Sequence, residues 1–227
     1  MVTARLLEDL REQVAMGAHR LATERLVIGT AGNLSTRSGE LIAVTPTGVV
    51  LADLRPEQVS VVDLAGRQVD GQLEPTSELA LHLGVYARWS TGAVAHTHSL
   101  MATALACVLD ALPCIHYQML PLGGPVRVAP YVTFGTDELA AQVLDALDGR
   151  SAALMSNHGA VVHADTVPTA VELAGLLEWA CALYWHAAQL GTPRVLNDEQ
   201  LEAVRTAMRV RGYGATRTFD SARDDAR

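Results

Sequence analysis

The stretch Ala93-Val94-Ala95-His96-Thr97-His98 constrains the fold more than any other part of this chain. In a strand, residues i and i+2 point to one face. His96 and His98 would then stand side by side, with Thr97 turned away. In a helix they would lie about 200° apart around the axis and could not easily share a ligand. The apolar residues just before them favour a strand. Neutral imidazole is a common ligand of zinc and related metals, although two structural histidines would explain the same pair.

The rest of the chain supplies the frame for that strand. Residues 3–26 carry apolar side chains at helical spacing, among them Leu6, Leu10, Val14 and Leu21, which predicts one long amphipathic helix. The segment 29–54 is rich in Gly, Ser, Thr and Asn between short β-branched runs, so strands and tight turns are expected there. Residues 58–71 read as a further strand and hairpin, and Gly71 to Pro75 as a loop. A helix is predicted after Pro75, capped by Thr76 or Ser77. "LMATALACVLD", "TDELAAQVLDAL" (capped by Thr136), 166–190 and 197–210 predict further helices. "VRVAPYVTFG" predicts a strand and loop, and "SAALMSNHGAVVHA" strand, turn, strand. Helices and strands mix without strict βαβ alternation. The expectation is a single α/β domain with a central mixed, largely antiparallel sheet flanked by helices. Hydrophobic residues make up 49% of the chain and aromatics only 4%, so the core must be built mostly from Ala, Leu and Val.

A metal site needs a third ligand beyond His96 and His98. Of the eight histidines, His158 stands out. It follows a predicted strand and precedes Gly159, which permits a tight turn. Three histidines with one open position describe a catalytic rather than a structural metal. Glu78 opens the helix after Pro75, where the helix dipole also favours a carboxylate. His82, one turn later on the same face, could contact Glu78 or serve as an alternative ligand. "GTAGNLS" (29–35), "TPTG" (45–48) and "PTS" (75–77) offer backbone N–H groups with short hydroxyl or amide donors. Such nests bind phosphate, though each alone is more often an ordinary turn.

Composition removes several classes. The formal net charge is -8 and no basic stripe exists, so nucleic acid is not an expected partner. The chain contains no lysine: its 17 basic residues are all arginine. Schiff-base chemistry and lysine-bound pyridoxal phosphate are therefore excluded. Cys107, Cys114 and Cys181 lack CxxC spacing, which predicts buried, reduced thiols. The amphipathic, acidic-containing N-terminus is unlike a secretory signal, and no apolar run reaches membrane-spanning length. A cytoplasmic protein with no membrane contact is expected.

Taken in order, "GTAGNLSTR", "TPTG", "PTSELALHLGVY", "AVAHTHS", "IHY", "APYVTFGTDEL" and "NHG" resemble the class II aldolase/adducin family over almost the whole chain. Within it, "LPCIHYQMLPLGG" is similar to the fuculose-phosphate aldolase branch. The resemblance implies Zn²⁺ (or Mn²⁺ or Co²⁺) held by His96, His98 and His158, with Glu78 as general acid/base. It implies a substrate phosphate cradled by Asn33, Thr47, Gly48, Thr76 and Ser77, with Thr30 and Gly32 shaping the first loop. Tyr117 would reach the site of an adjacent subunit as a proton donor, and Tyr213 would close over substrate. A homotetramer with sites at subunit interfaces is implied. So is a catalytic domain over residues 1–214, followed by a flexible polar tail at 215–227. The implied reaction is reversible cleavage of a ketose 1-phosphate, such as L-fuculose 1-phosphate, to dihydroxyacetone phosphate and a small aldehyde such as lactaldehyde. Pentulose 5-phosphate 4-epimerisation, methylthioribulose 1-phosphate dehydration and a non-catalytic adducin-like module remain alternatives. Thr76 departs from the serine common in the aldolase branch.

Overall fold

Nine strands form one sheet in the order β4-β3-β2-β1-β5-β9-β8-β7-β6, in a computed structural model that describes residues 2–211. The chain runs α1 (Val2–Thr23), β1 (Asn33–Ser38), β2 (Leu41–Val44), β3 (Ser60–Asp63), β4 (Gln68–Asp70), α2 (Leu79–Arg88), β5 (Ala93–Thr97), α3 (Leu100–Ala106) and β6 (Ala111–Leu112). It continues through β7 (Val126–Ala129), α4 (Asp137–Ala146), β8 (Ala152–Met155), β9 (Gly159–Ala164), α5 (Val167–Leu190) and α6 (Asp198–Arg211). Only β7 and β8 pair in parallel, and the other ladders are antiparallel. The expected single α/β domain with a mixed, largely antiparallel sheet is therefore what forms.

Alternation along the central strands sorts the core into two layers. Ala43, Val61, Ala93, Ala95, Ala152, Leu154, Ala160 and Val162 pack with α1, α3 and α5. Their neighbours Ile42, Val62, Val94, Ala153, Met155 and Val161 pack with α2 and α4. Both faces are covered, so the strands read as continuous apolar runs. The many alanines on the α5 side leave room for the long helix to lie close to the sheet.

Two expectations needed correction. Neither Thr76 nor Ser77 caps α2. Glu78 occupies the N-cap position without a side-chain capping bond, while Thr76 Oγ1 accepts the Glu78 N–H. The Thr76 N–H is held by the carbonyl of Thr45, beside a bridge between Pro46 and Pro75, and Ser77 and Glu78 then form a turn, closed by the Leu79 N–H on the Thr76 carbonyl, before the helix begins. The three cysteines are free, but only Cys114 and Cys181 are buried. Cys107 is exposed at the end of α3. The cap predicted at Thr136 is present, its side chain accepting from the Leu139 N–H.

Candidate active site

Three neighbouring strand ends and one helix start bring the site together. β5 is the central strand between β1 and β9, and it carries His96 opposite Asn33 on one side and Val161 on the other. His96 is fully buried. His98 lies one residue past the end of β5, so the two rings are not strictly a pair on one strand face. Its backbone N–H donates to Leu26 instead. His158 sits in the β8–β9 turn, where Asn157 takes a left-handed φ of 54°. Gly159 follows because β9 crosses β5 too closely for a side chain: a Cβ there would lie 2.2 Å from the Thr97 carbonyl oxygen. A Gly159→Ala variant is expected to lose about 1–3 kcal/mol of stability through overpacking. Urea unfolding reads this out, and an unchanged midpoint would show that the strands separate freely.

The three rings converge. His96 Nε2 lies 2.9 Å from His98 Nε2, and one nitrogen from each of His96, His98 and His158 falls within 4.8 Å of the others. His96 Nδ1 faces the Ala160 carbonyl at 2.9 Å. A carbonyl only accepts, so Nδ1 carries a proton, and Nε2 is the nitrogen left to offer a lone pair to a metal. Glu78 completes the cluster. Its Oε2 is 3.1 Å from His96 Nε2 and its Oε1 is 3.5 Å from His158 Nε2. Oε1 is buried with no hydrogen-bond partner. Lone pairs gathered around a buried carboxylate repel one another unless a cation lies among them. Three imidazoles suit a zinc-like divalent ion and leave a coordination position open.

Burial alone would raise the Glu78 carboxyl pKa. His96, the Asn33 amide and His158 outweigh burial and hold the carboxyl well below its usual range. Glu78 is therefore a carboxylate at neutral pH. Burial, then the neighbouring imidazoles, push His98 down to about 4 and lower His158, so both rings are neutral and able to bind metal.

A cleft of about 430 Å³ opens over this cluster. Thr30, Gly32, Asn33, Thr47, Gly48, Thr76 and Ser77 all line it, so the three loops that are separate in sequence meet beside the histidines. No arginine lines it among the described residues, leaving hydroxyls and backbone N–H groups as its anion donors. His82 is not in the triad and does not bond Glu78. It binds Asn33, and Asn33 Nδ2 donates to Glu78 Oε2 at 2.9 Å. Tyr117 opens a 3-10 turn, is 37% exposed and is not among the residues lining the cleft of its own chain. Tyr213 and the 215–227 tail fall outside the described residues.

Some lining residues had no distinct signal in the sequence. Tyr131, Val132 and Phe134 enter from the loop after β7, which packs against Ser77: a Cβ on Gly135 would lie 3.2 Å from the Ser77 carbonyl oxygen. Asn157 also lines the cleft, and the "SNHG" turn was the one available hint.

Comparison with known proteins agrees with this geometry. Residues 12–185 match the family model described as class II aldolase and adducin N-terminal domain. The chain is 36% identical over 208 residues to a 5-methylthioribulose-1-phosphate/5-deoxyribulose-1-phosphate aldolase of Rhodospirillum rubrum, covering 91% of this chain and 94% of that protein. It is 33% identical to a 5-deoxy-D-ribulose 1-phosphate aldolase of Bacillus thuringiensis, covering 92% and 99%. A solved L-fuculose 1-phosphate aldolase superposes with a TM-score of 0.85 at 34% identity, covering 88% and 96%.

Proposed function

The chain belongs to the class II aldolase and adducin N-terminal domain family, and from that premise we propose that it is a divalent-metal-dependent lyase acting on a ketose 1-phosphate. The reaction breaks the C3–C4 bond reversibly to give dihydroxyacetone phosphate and a small aldehyde. The observation that carries this reading is the meeting of three imidazoles and the Glu78 carboxylate beside one cleft lined by the hydroxyl-rich loops. His96, His98 and His158 would hold the ion, with zinc favoured over manganese or cobalt by the all-nitrogen donor set. The bound ion would supply Lewis acidity, the electron sink that a lysine-free chain cannot supply as a Schiff base.

The remaining work belongs to the chain itself. Thr47, Gly48, Thr76 and Ser77 would bind the phosphate through hydroxyl and backbone donors, with Thr30 and Gly32 shaping the loop. Asn33 has a second amide hydrogen to offer beyond the one given to Glu78. In the cleavage direction, O4 gives up its proton as the C3–C4 bond breaks. C3 of the triose fragment must gain a proton, which Glu78, a carboxylate in the free site, would take up from solvent and pass on. Tyr117 of an adjacent subunit would exchange the O4 proton through its hydroxyl, passing it on to solvent in cleavage and donating one to the aldehyde oxygen in condensation, which requires an assembly, proposed as a homotetramer. Val132 and Phe134 add apolar side chains to the lining of the cleft. Such a lining suits a substrate ending in a methyl or methylthio group, as in 5-deoxyribulose, methylthioribulose and L-fuculose 1-phosphates.

The test is direct. Metal-loaded protein is incubated with each of these three sugar phosphates and, separately, with ribulose 5-phosphate, and products are identified. Triose phosphate from at least one ketose 1-phosphate is expected, with 5-deoxypentulose phosphates turned over best. Epimer without triose phosphate, or no turnover at all, would overturn the reading.

A further inference from the structure

Beyond Glu78 and Asn33, which line the cleft, the buried polar side chains of His82, Ser35 and Tyr86 continue a row that the proposed reaction does not use. Asn33 and Ser35 are two residues apart on β1 and so share one sheet face. Opposite them, Glu78, His82 and Tyr86 recur every four residues along the start and one face of α2. Asn33 Nδ2 meets Glu78 Oε2 at 2.9 Å, and His82 Nε2 meets Asn33 Oδ1 at 2.5 Å. Ser35 Oγ then meets His82 Nδ1 at 2.7 Å and the Tyr86 hydroxyl at 2.8 Å. His82 and Ser35 are completely buried, and Asn33 and Tyr86 are 4% exposed.

The direction of every bond in this row follows from one end. The Asn33 amide nitrogen faces Glu78 Oε2 and its oxygen faces His82 Nε2, and an amide oxygen only accepts. His82 must therefore donate from Nε2. A neutral ring then has a bare Nδ1, which must receive the Ser35 hydroxyl proton. Ser35 in turn accepts from the Tyr86 hydroxyl. The row runs one way, Tyr86 to Ser35 to His82 to Asn33 to Glu78, and its bonds polarise one another toward the carboxylate. Burial pushes His82 down to about 3, which keeps its ring neutral. Buried polar groups seldom stabilise a fold better than apolar ones of the same shape. Of His82, Ser35 and Tyr86, none lines the cleft, so none touches substrate there.

We propose that His82 is a positioning residue for the reaction: by donating from Nε2 to Asn33 Oδ1 it prevents the Asn33 amide from flipping, and so keeps an N–H donor aimed at Glu78. Glu78 needs this because it stands at the N-cap of α2 without a capping bond of its own. A flipped amide would set its oxygen against the carboxylate, displacing it and raising its proton affinity. This inference rests on Glu78 as the acid/base group.

Two variants and one spectrum test it. His82→Leu removes the donor at similar volume, whereas His82→Gln keeps an N–H near the Nε2 position. His82→Leu is expected to lower kcat by about 10- to 100-fold, the range for losing a hydrogen bond to a charged group, with KM moved less than about threefold and metal content unchanged. His82→Gln is expected to recover most of kcat. In metal-free wild type labelled with ¹⁵N-histidine, long-range ¹H–¹⁵N correlations are expected to show His82 neutral and protonated on Nε2. A wild-type kcat in His82→Leu, or a His82→Gln variant as slow as His82→Leu, would overturn the proposal. A proton on Nδ1 would overturn it even if the leucine variant fails to fold. If wild type binds metal but cleaves no ketose 1-phosphate, the function reading fails instead, and the tautomer still decides whether the row exists.

Discussion

A His96→Ala chain is expected to purify without its metal and to cleave its sugar phosphate at least about 10⁴-fold more slowly, since several kcal/mol of charge stabilisation are lost with the ion. His96 is the ligand whose loss cannot be covered. It is fully buried, its Nε2 lies within reach of both His98 and Glu78, and its Nδ1 is tied to Ala160. That tie holds the ring on a central strand, where no neighbour can move in to replace it. Truncation also removes the bond to the Ala160 carbonyl and opens a small cavity, so a lower melting temperature is expected as well. Elemental analysis and kcat/KM check the prediction together. Chelation of wild type provides the control that avoids any folding defect: activity should vanish and return on adding zinc, manganese or cobalt. A variant that retains both metal and activity, or a chelated enzyme still active, would remove the metal from the mechanism.

Glu78→Gln is the second large effect, and it separates proton transfer from metal binding. Glutamine keeps the size of the side chain and can still accept the Asn33 amide proton through its oxygen, so the fold and the three histidines should be undisturbed. The carboxylate held ionised by His96, Asn33 and His158 is lost. A fall in kcat of about 10²- to 10⁴-fold is expected, the usual range for one general acid/base group, with metal content at the wild-type level. An isotope experiment is sharper than the rate. Wild type should exchange a C3 hydrogen of dihydroxyacetone phosphate with deuterated water, and Glu78→Gln should not. Exchange at the wild-type rate in the variant would assign the proton transfer to another group.

Much of this was legible in the chain itself. Short β-branched and apolar runs placed most strands, because a strand buried on both faces has to be apolar along its length. Gly159 after His158 marked a turn. What the sequence misplaced was small in extent. Thr76 and Ser77 looked like helix caps, but the bond from Thr76 to Thr45 and the neighbouring bridge tie down Pro75 and Thr76, and a turn at Ser77 and Glu78 moves the helix start to Leu79. His82 looked like a partner for Glu78 at helical spacing, yet Asn33 from β1 stands between them. Cys107, flanked by apolar residues, was expected inside and lies at an exposed helix end. The first two cases turned on a contact from a segment more than 25 residues away, which no local pattern can report.

The order of residue types along the chain was enough to determine a mixed sheet, a pair of imidazoles at a strand end and the absence of any amine for covalent carbonyl chemistry. Only the tertiary structure decided which groups meet. Pairing of β1 and β9 with β5 brought Asn33 beside His96 and carried His158 across to both. Packing of α2 against β1 turned Ser35, His82 and Tyr86 into one directed row. Period and turn chemistry act between neighbours in sequence, whereas a site is made where the hydrogen-bond register of separate strands brings distant residues to one end of the sheet.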